Sequence, residues 1–539
     1  MLKIFISLLI LISSLSFPQK SKDPKIIVGI VVDQMRFDYL TRFNKYFGDD
    51  GFKRIIKGGS DFTYAHYNYV PTFTAPGHTS IYTGTTPFFH GIIANDWYDR
   101  EKNEMVSSVR DDSFQSVGVT TSEGQRSPDK ILSSTITDQL KIATNGKSKV
   151  ISISIKDRAA ILPGGHSADL ALWYSSKTGK FISSDYYVKN LPKWVEFFNN
   201  LKLPDKYINK EWDLSLPATD YLISSPDKSD YENDAFNEGR TSFPHSLKNV
   251  SDNSKYSALI KTPFGNQLVL ELAKAAIINE GLGKNSVPDF LAISFSSTDY
   301  IGHEYGPNSV EIEDTYIKLD KQIAELLSGL DKLVGKGNYL LFLTADHAVM
   351  ESPGYLNKLK INGKNFESKM LNDSLSSFTE KKYNTKNIIL NSSNRQVFLN
   401  YKLMREEKLN PEEVENNLKE YLLNTFPQIA IVLTRNELLD KTAKRTSDNL
   451  ILNGFNFKRS GDIAFEFEPN IIPDHKKGST HGSLYNYDTH VPLIFYGWHI
   501  PHQKINTPVY TVDIAATIAN LIGINEPNAC IGIPLIKPE

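Results

Sequence analysis

The 539-residue chain contains one cysteine, Cys530. An intramolecular disulfide is therefore excluded, although an exported protein could have used them. A lone late cysteine is expected to be a packed small residue. Charge of one sign is also scarce: the net charge is −2 and the sequence pI is near 6.7. No basic field points to nucleic acid, and no acidic tail points to a scaffold. Internal repeats are absent, and no later segment has the run of apolar residues that a membrane span needs. At the start, Met1-Leu2-Lys3 precedes the apolar stretch Ile4–Ile12 and then Ser13-Ser14-Leu15-Ser16. That stretch is too short for a comfortable span, and the pattern is that of a secretory signal peptide over residues 1–16. No cysteine follows it, so lipid anchoring there is not expected. The protein is expected to be periplasmic or secreted, without stable membrane association after cleavage, and monomeric.

What is present suits a large core: 40% hydrophobic and 23% charged residues. Three apolar, strand-like runs each lead to an aspartate. Lys25–Val32 runs into Asp33, Phe290–Thr298 into Asp299, and Tyr339–Ala345 into Asp346. Continuous apolar runs suit strands buried on both faces of a parallel sheet. Ligands bind such sheets outside the carboxyl ends of the strands. The helical spacing of Ile312, Tyr316, Leu319, Ile323, Leu326 and Leu330 predicts a helix over 308–334, between the second and third of these strands. That is a βαβ unit with parallel strands. Helices are also expected over 37–47, from Thr74 onwards, around 266–278 and over 512–522, with strands at 149–155 and 491–496. Two stretches, 181–254 and 353–470, have weak periodicity. They read as cap-like insertions in one α/β domain over 17–539.

Zinc accepts imidazole nitrogen and carboxylate oxygen. His303 follows Asp299 by four residues, with Gly302 permitting a tight path, and His347 directly follows Asp346. His481, just before the late strand, supplies a further imidazole. With Asp33 these make six ligands, enough for two metals sharing a substrate. The remaining histidines, His78 among them, lack equally good company.

Thr74 stands at a predicted helix start, with Pro76 in the first turn, where free N–H groups and the macrodipole favour an anion. Its hydroxyl needs a base or metal to become a nucleophile. Lys156 and Arg158 follow a strand directly, and alternation would put both on one side if the extended path continued. Two cations beside a metal pair suit a phosphoryl group. Asn95 could donate its amide to one of that group's oxygens.

The ordered set VVDQMR, FTAPGHTS, GIIANDWY, IKDRAAILPGGHSAD, DYIGHEYGP, TADHA and STHGS resembles the alkaline phosphatase superfamily, and within it the phosphate-irrepressible bacterial alkaline phosphatases. That resemblance implies an α/β sandwich around a central, mostly parallel sheet flanked by helices, and hydrolysis of small phosphate monoesters over a broad range. It implies one Zn2+ on Asp299, His303 and His481, and another on Asp33, Asp346, His347 and the Thr74 oxygen. Thr74 would form a phosphothreonine, while Asn95, Lys156 and Arg158 hold the non-bridging oxygens. Lys156 and Arg158 occupy the role that a magnesium site would share, so no catalytic Mg2+ is expected. A nucleotide pyrophosphatase/phosphodiesterase of the same superfamily is the alternative. A catalytically silent metal-binding protein would not need Thr74, Asn95, Lys156 and Arg158.

Overall fold

The computed structural model describes residues 23–440 and 445–537; the predicted signal segment lies outside them. In chain order, the elements that position the site are β1 (Ile26–Val32), β2 (Ser60–His66), α1 (Thr74–Thr83), β3 (Ser116–Val117), β4 (Val150–Ser154) and α2 (Asp157–Gly164). They continue as β5 (Leu170–Ser175), β6 (Lys180–Ser184), β7 (Asp289–Phe295), α3 (Ser297–Tyr305), α4 (Val310–Leu330), β8 (Tyr339–Thr344), α5 (Ser368–Tyr383), β9 (His490–Gly497), β10 (Gln503–Ile505) and β11 (Val509–Tyr510).

These strands form one eleven-stranded sheet among the described residues, in the order β10-β2-β9-β8-β1-β7-β4-β5-β6-β3, with β11 also on β2. Its centre, β8-β1-β7-β4-β5, is parallel throughout. The late strand β9 pairs antiparallel with β8. All seven residues of β1 are buried. Alternation explains why an unbroken apolar run is needed there. Ile26, Val28, Ile30 and Val32 join a core that includes Tyr316, Leu319 and Ile323 of α4. Ile27 and Val31 join the opposite core, with Ile81 and Tyr82 of α1 and Ile514 and Ile518 near the C-terminus. Helices thus cover both faces of the sheet.

The six periodic residues of α4 are all buried, and Ser309 caps the helix by accepting from Ile312 N at 3.2 Å. Its strands β7 and β8 are both parallel to β1, which lies between them. Two expectations need correction. β7 stops at Phe295, and Ser297 opens α3; the polar Ser-Ser-Thr-Asp run favours a helix start over further sheet. The 37–47 segment is split into a short helix at Tyr39–Arg42 and a 3-10 turn at Asn44–Tyr46. Within 353–470, Ile389–Ser393, Gln396–Leu399, Ile463–Phe467 and Ile429–Thr434 form a separate four-stranded sheet, in that order. It has its own core, which includes Leu371 and Leu375 of α5. The 181–254 stretch begins inside β6 and continues largely through short helices and turns.

Candidate active site

The carboxyl edge of the parallel strands gathers the polar residues. Asp33 directly follows β1, Lys156 lies just past β4, and Asp346 just past β8. Asp299 does not end a strand. It sits in the first turn of α3, and His303 lies one helical turn later, with His303 Nε2 3.2 Å from Asp299 Oδ1. The i, i+4 spacing puts both on one helix face. Gly302 therefore does not bend the chain. It makes room: a Cβ there would stand 1.8 Å from Gln34 Oε1.

Two sets of ligand atoms come within 4.8 Å of one another: Asp33, Asp346 and His347, and Asp299, His347 and His481. The rings of His347 and His481 stack at 3.5 Å between centroids. His481 Nε2 is 3.6 Å from Asp299 Oδ1, and its ring lies 5.2 Å from that of His303. Each of the three histidines spends Nδ1 on a backbone carbonyl. His303 donates to Ser479 O at 2.8 Å, His481 to Thr72 O at 2.7 Å and His347 to Ala348 O at 3.0 Å. In His347 and His481 this selects the tautomer that leaves Nε2 as a lone-pair donor; burial would lower His303 too, but the Asp299 carboxylate outweighs it and pushes His303 up.

Three carboxylates crowd this edge. Asp33, Asp299 and Asp346 are all buried. Both Asp33 oxygens and Asp346 Oδ2 lack a hydrogen-bond donor of good geometry. Burial, then the Asp346 charge, pushes the Asp33 carboxyl up. Burial alone would raise Asp299 as well, but His303 and Lys156 hold it well below the usual range. Burial pushes both His347 and His481 down, towards the neutral form that binds metal. Under-satisfied buried carboxylates facing neutral imidazole Nε2 atoms fit a site for divalent cations with N and O ligands.

Lys156 Nζ reaches into this group, 2.6 Å from Asp299 Oδ2, 2.8 Å from Asp33 Oδ2 and 3.4 Å from Thr74 Oγ1. Burial alone would lower its pKa; Asp299 and Asp33 outweigh that and keep it an ammonium. Lys156 and Arg158 are not related by strand alternation, because α2 begins at Asp157. Both residues nevertheless line one small cavity with Tyr300. Lys156 Nζ lies 5.0 Å from the Tyr300 ring centre, and Asp157, anchored by Arg126 at 2.8 Å, neighbours the Arg158 guanidinium at 3.8 Å.

Thr74 is the first residue of α1 and makes no cap bond; the extended Phe73 is the cap position. Thr74 Oγ1 lies 3.5 Å from His347 Nε2. Asn95 Oδ1 accepts from Ala75 N at 2.8 Å, which pins its carboxamide beside Thr74 and leaves the NH2 end for another partner. Two residues of this site escape the sequence argument. His78 Nδ1 donates to Thr74 O at 2.9 Å and stands 3.3 Å from Asp346 Oδ2; its i+4 spacing from Thr74 was the available signal. Gln34 donates from its backbone N to Asp346 Oδ1 at 3.1 Å and from Nε2 to Asp299 Oδ1 at 2.7 Å, which sequence spacing does not reveal.

A family profile described as type I phosphodiesterase / nucleotide pyrophosphatase matches residues 27–491. The alkaline phosphatase PafA of Elizabethkingia meningoseptica is 41% identical over 516 residues, 95% of this chain and 94% of PafA. The alkaline phosphatase PhoV of Synechococcus elongatus is 43% identical over 517 residues, 96% of this chain and 93% of PhoV. The crystal structure of wild-type PafA matches with a TM-score of 0.92 at 40% identity, covering 95% of this chain and 98% of that one. A protein with this edge of carboxylates, imidazoles and cations, and with these relatives along nearly its whole length, belongs to the type I phosphodiesterase / nucleotide pyrophosphatase family of the alkaline phosphatase superfamily, among the PafA-like alkaline phosphatases.

Proposed function

We propose that this phosphoric monoester hydrolase is an exported di-zinc alkaline phosphatase that works through a phosphothreonine at Thr74. The observation that carries the reading is the position of Thr74 Oγ1 at the start of α1, within reach of both Lys156 Nζ and His347 Nε2. Asp299, His303 and His481 would hold one zinc; Asp33, Asp346 and His347, with the Thr74 oxygen, would hold the other. Bound zinc lowers the pKa of an oxygen it holds and neutralises charge on a departing one.

The chain's own groups orient the reaction. Thr74 Oγ1 attacks phosphorus in line, the ester oxygen leaves, and water then attacks the same phosphorus to release phosphate and restore Thr74. The N-terminus of α1 presents N–H groups to the anion. Lys156, Arg158 and the Asn95 amide meet the equatorial oxygens. These cations take the role of a third metal, so no catalytic Mg2+ is assigned. The signal segment directs the protein out of the cytoplasm, and it acts as a monomer.

The description of the matching family favours a second reading, hydrolysis of phosphodiesters. The Lys156 and Arg158 pair favours monoesters, because a dianionic phosphate gains more from two cations than a monoanionic diester does. The test compares a phosphate monoester with its matching diester on the zinc-loaded protein, before and after chelation. The monoester is expected to have the higher kcat/KM, with activity lost on chelation and restored by zinc. A faster diester reaction overturns the substrate class; activity that survives full chelation overturns the zinc mechanism.

A further inference from the structure

A cleft of about 230 Å3 opens beside the site. Its inner end is made by Phe73, Thr480 and His481. Phe73 directly precedes Thr74, and its ring meets the His481 ring edge-on at 5.7 Å. The cleft therefore begins on the His481 side of the centre. In an in-line displacement the departing group lies opposite Thr74, and His481 belongs to the ligand set without Thr74. The cleft is the space into which that group would extend.

Its outer walls come from the second sheet and α5. Phe465 and Phe467 stand two residues apart on one strand, 5.6 Å between ring centres, and Phe366 packs on Phe467 at 4.9 Å. Ser392 and Asn372, both half-buried, add a hydroxyl and an amide. Arg395 is the lysine or arginine on this lining, and no other one joins it among the described residues. Its guanidinium is already taken by Glu466 at 2.9 Å and by the Gly482 carbonyl. That pairing has two effects. It removes the positive charge that a second phosphate would need. It also ties the second sheet to the loop carrying His481, so the wall is held in place relative to the site.

We propose that this cleft is the leaving-group subsite and that it takes a flat, uncharged aromatic or heteroaromatic group, such as the nucleoside of a nucleoside monophosphate. Aromatic walls bind such rings by stacking, and polar side chains, Asp474 and His475 as well as Ser392 and Asn372 on this lining, orient them. The proposal rests on the monoesterase reading for the identity of the reacting phosphate, and its test includes an arm without phosphate chemistry.

Ser392→Trp and Asn372→Trp fill the cleft from two different elements and touch none of the proposed zinc ligands. The zinc-loaded wild type and both variants are assayed on adenosine 5′-monophosphate and on methyl phosphate. In at least one variant, kcat/KM for the nucleotide is expected to fall about tenfold while methyl phosphate changes by less than about twofold. Adenosine alone, followed by calorimetry, is expected to bind the wild type and to lose that binding in the same variant. Adenosine binding unchanged in both variants, or both substrates falling in parallel in both, overturns the subsite. A wild type that binds adenosine yet hydrolyses neither ester overturns the monoesterase reading and leaves the subsite standing. A wild type that binds no adenosine overturns the subsite whatever its activity.

Discussion

The Thr74 hydroxyl has no hydrogen-bond partner closer than Lys156 at 3.4 Å and His347 at 3.5 Å, and it serves no cap. Thr74→Ala is expected to abolish turnover while zinc content by elemental analysis stays at the wild-type value. Loss of zinc would make Thr74 chiefly a ligand. Lys156→Ala is expected to lower kcat/KM by about 10²–10³, the effect of removing one preorganised charge donor. The same substitution also strips the ammonium between Asp33 and Asp299, so zinc affinity should rise or hold, not fall. An effect within about twofold on rate would remove Lys156 from the mechanism. The convergence of Asp33, Asp346 and His347 was legible from their places just past strand ends. Gln34 was not legible, because an amide that orients two carboxylates has no distinctive sequence spacing.

At the scale of elements, α1 is pressed against the loop after β8. A Cβ on Gly77 would lie 2.1 Å from the Asp346 carbonyl, a distance no packed side chain tolerates. Gly77→Ala should therefore push α1 away from Asp346 and His347 and lower kcat sharply, with a measurable loss of zinc affinity in a competition titration. Further along, His90 accepts from Ile92 N and bonds Ser80 Oγ at 2.9 Å. Burial, then Arg459, lowers its pKa from 6.5 to about 3. A histidine depressed in the folded state stays neutral there while the unfolded chain takes up a proton. Its contribution to stability is therefore full above pH 6.5 and is lost as pH falls from 6.5 towards about 3. The slope of unfolding free energy against pH in that window should be shallower in His90→Gln than in wild type, read from denaturant midpoints. Equal slopes would place the acid sensitivity elsewhere. The long periodic helix α4 was legible to within two residues at its start and four at its end, since one buried stripe specifies it. The start of α3 was not, because Ser-Ser-Thr-Asp follows an apolar strand without a break in spacing, Ser296 makes no side-chain cap bond, and the Ser297 N–H is taken by the distant Asn266 Oδ1 at 3.0 Å.

For the whole molecule, the carboxyl edge of the sheet and the first turn of α3 bring three buried carboxylates around one lysine. Metal that binds only the folded chain stabilises it by mass action. Chelation should lower the melting temperature as well as the activity, and zinc should restore both; a melting temperature indifferent to chelation would argue against a metal at this edge. Such coupling is a property of the assembled sheet, since the ligands come from segments as distant as Asp33 and His481.

The sequence by itself determined the chemistry on offer and the class of fold. Unbroken apolar strands must be buried on both faces, and aspartates beyond their ends must meet at one edge. Tertiary structure alone decided the rest. It set Asp299 and His303 on one helical turn, fixed each histidine's tautomer through a distant backbone carbonyl, and turned Lys156 into the carboxylate cluster after α2 broke the strand. It also set residues of a second sheet and His481 on one cleft. These outcomes depend on contacts between residues far apart in the chain, and the geometry of such contacts is settled by packing, which no local spacing encodes.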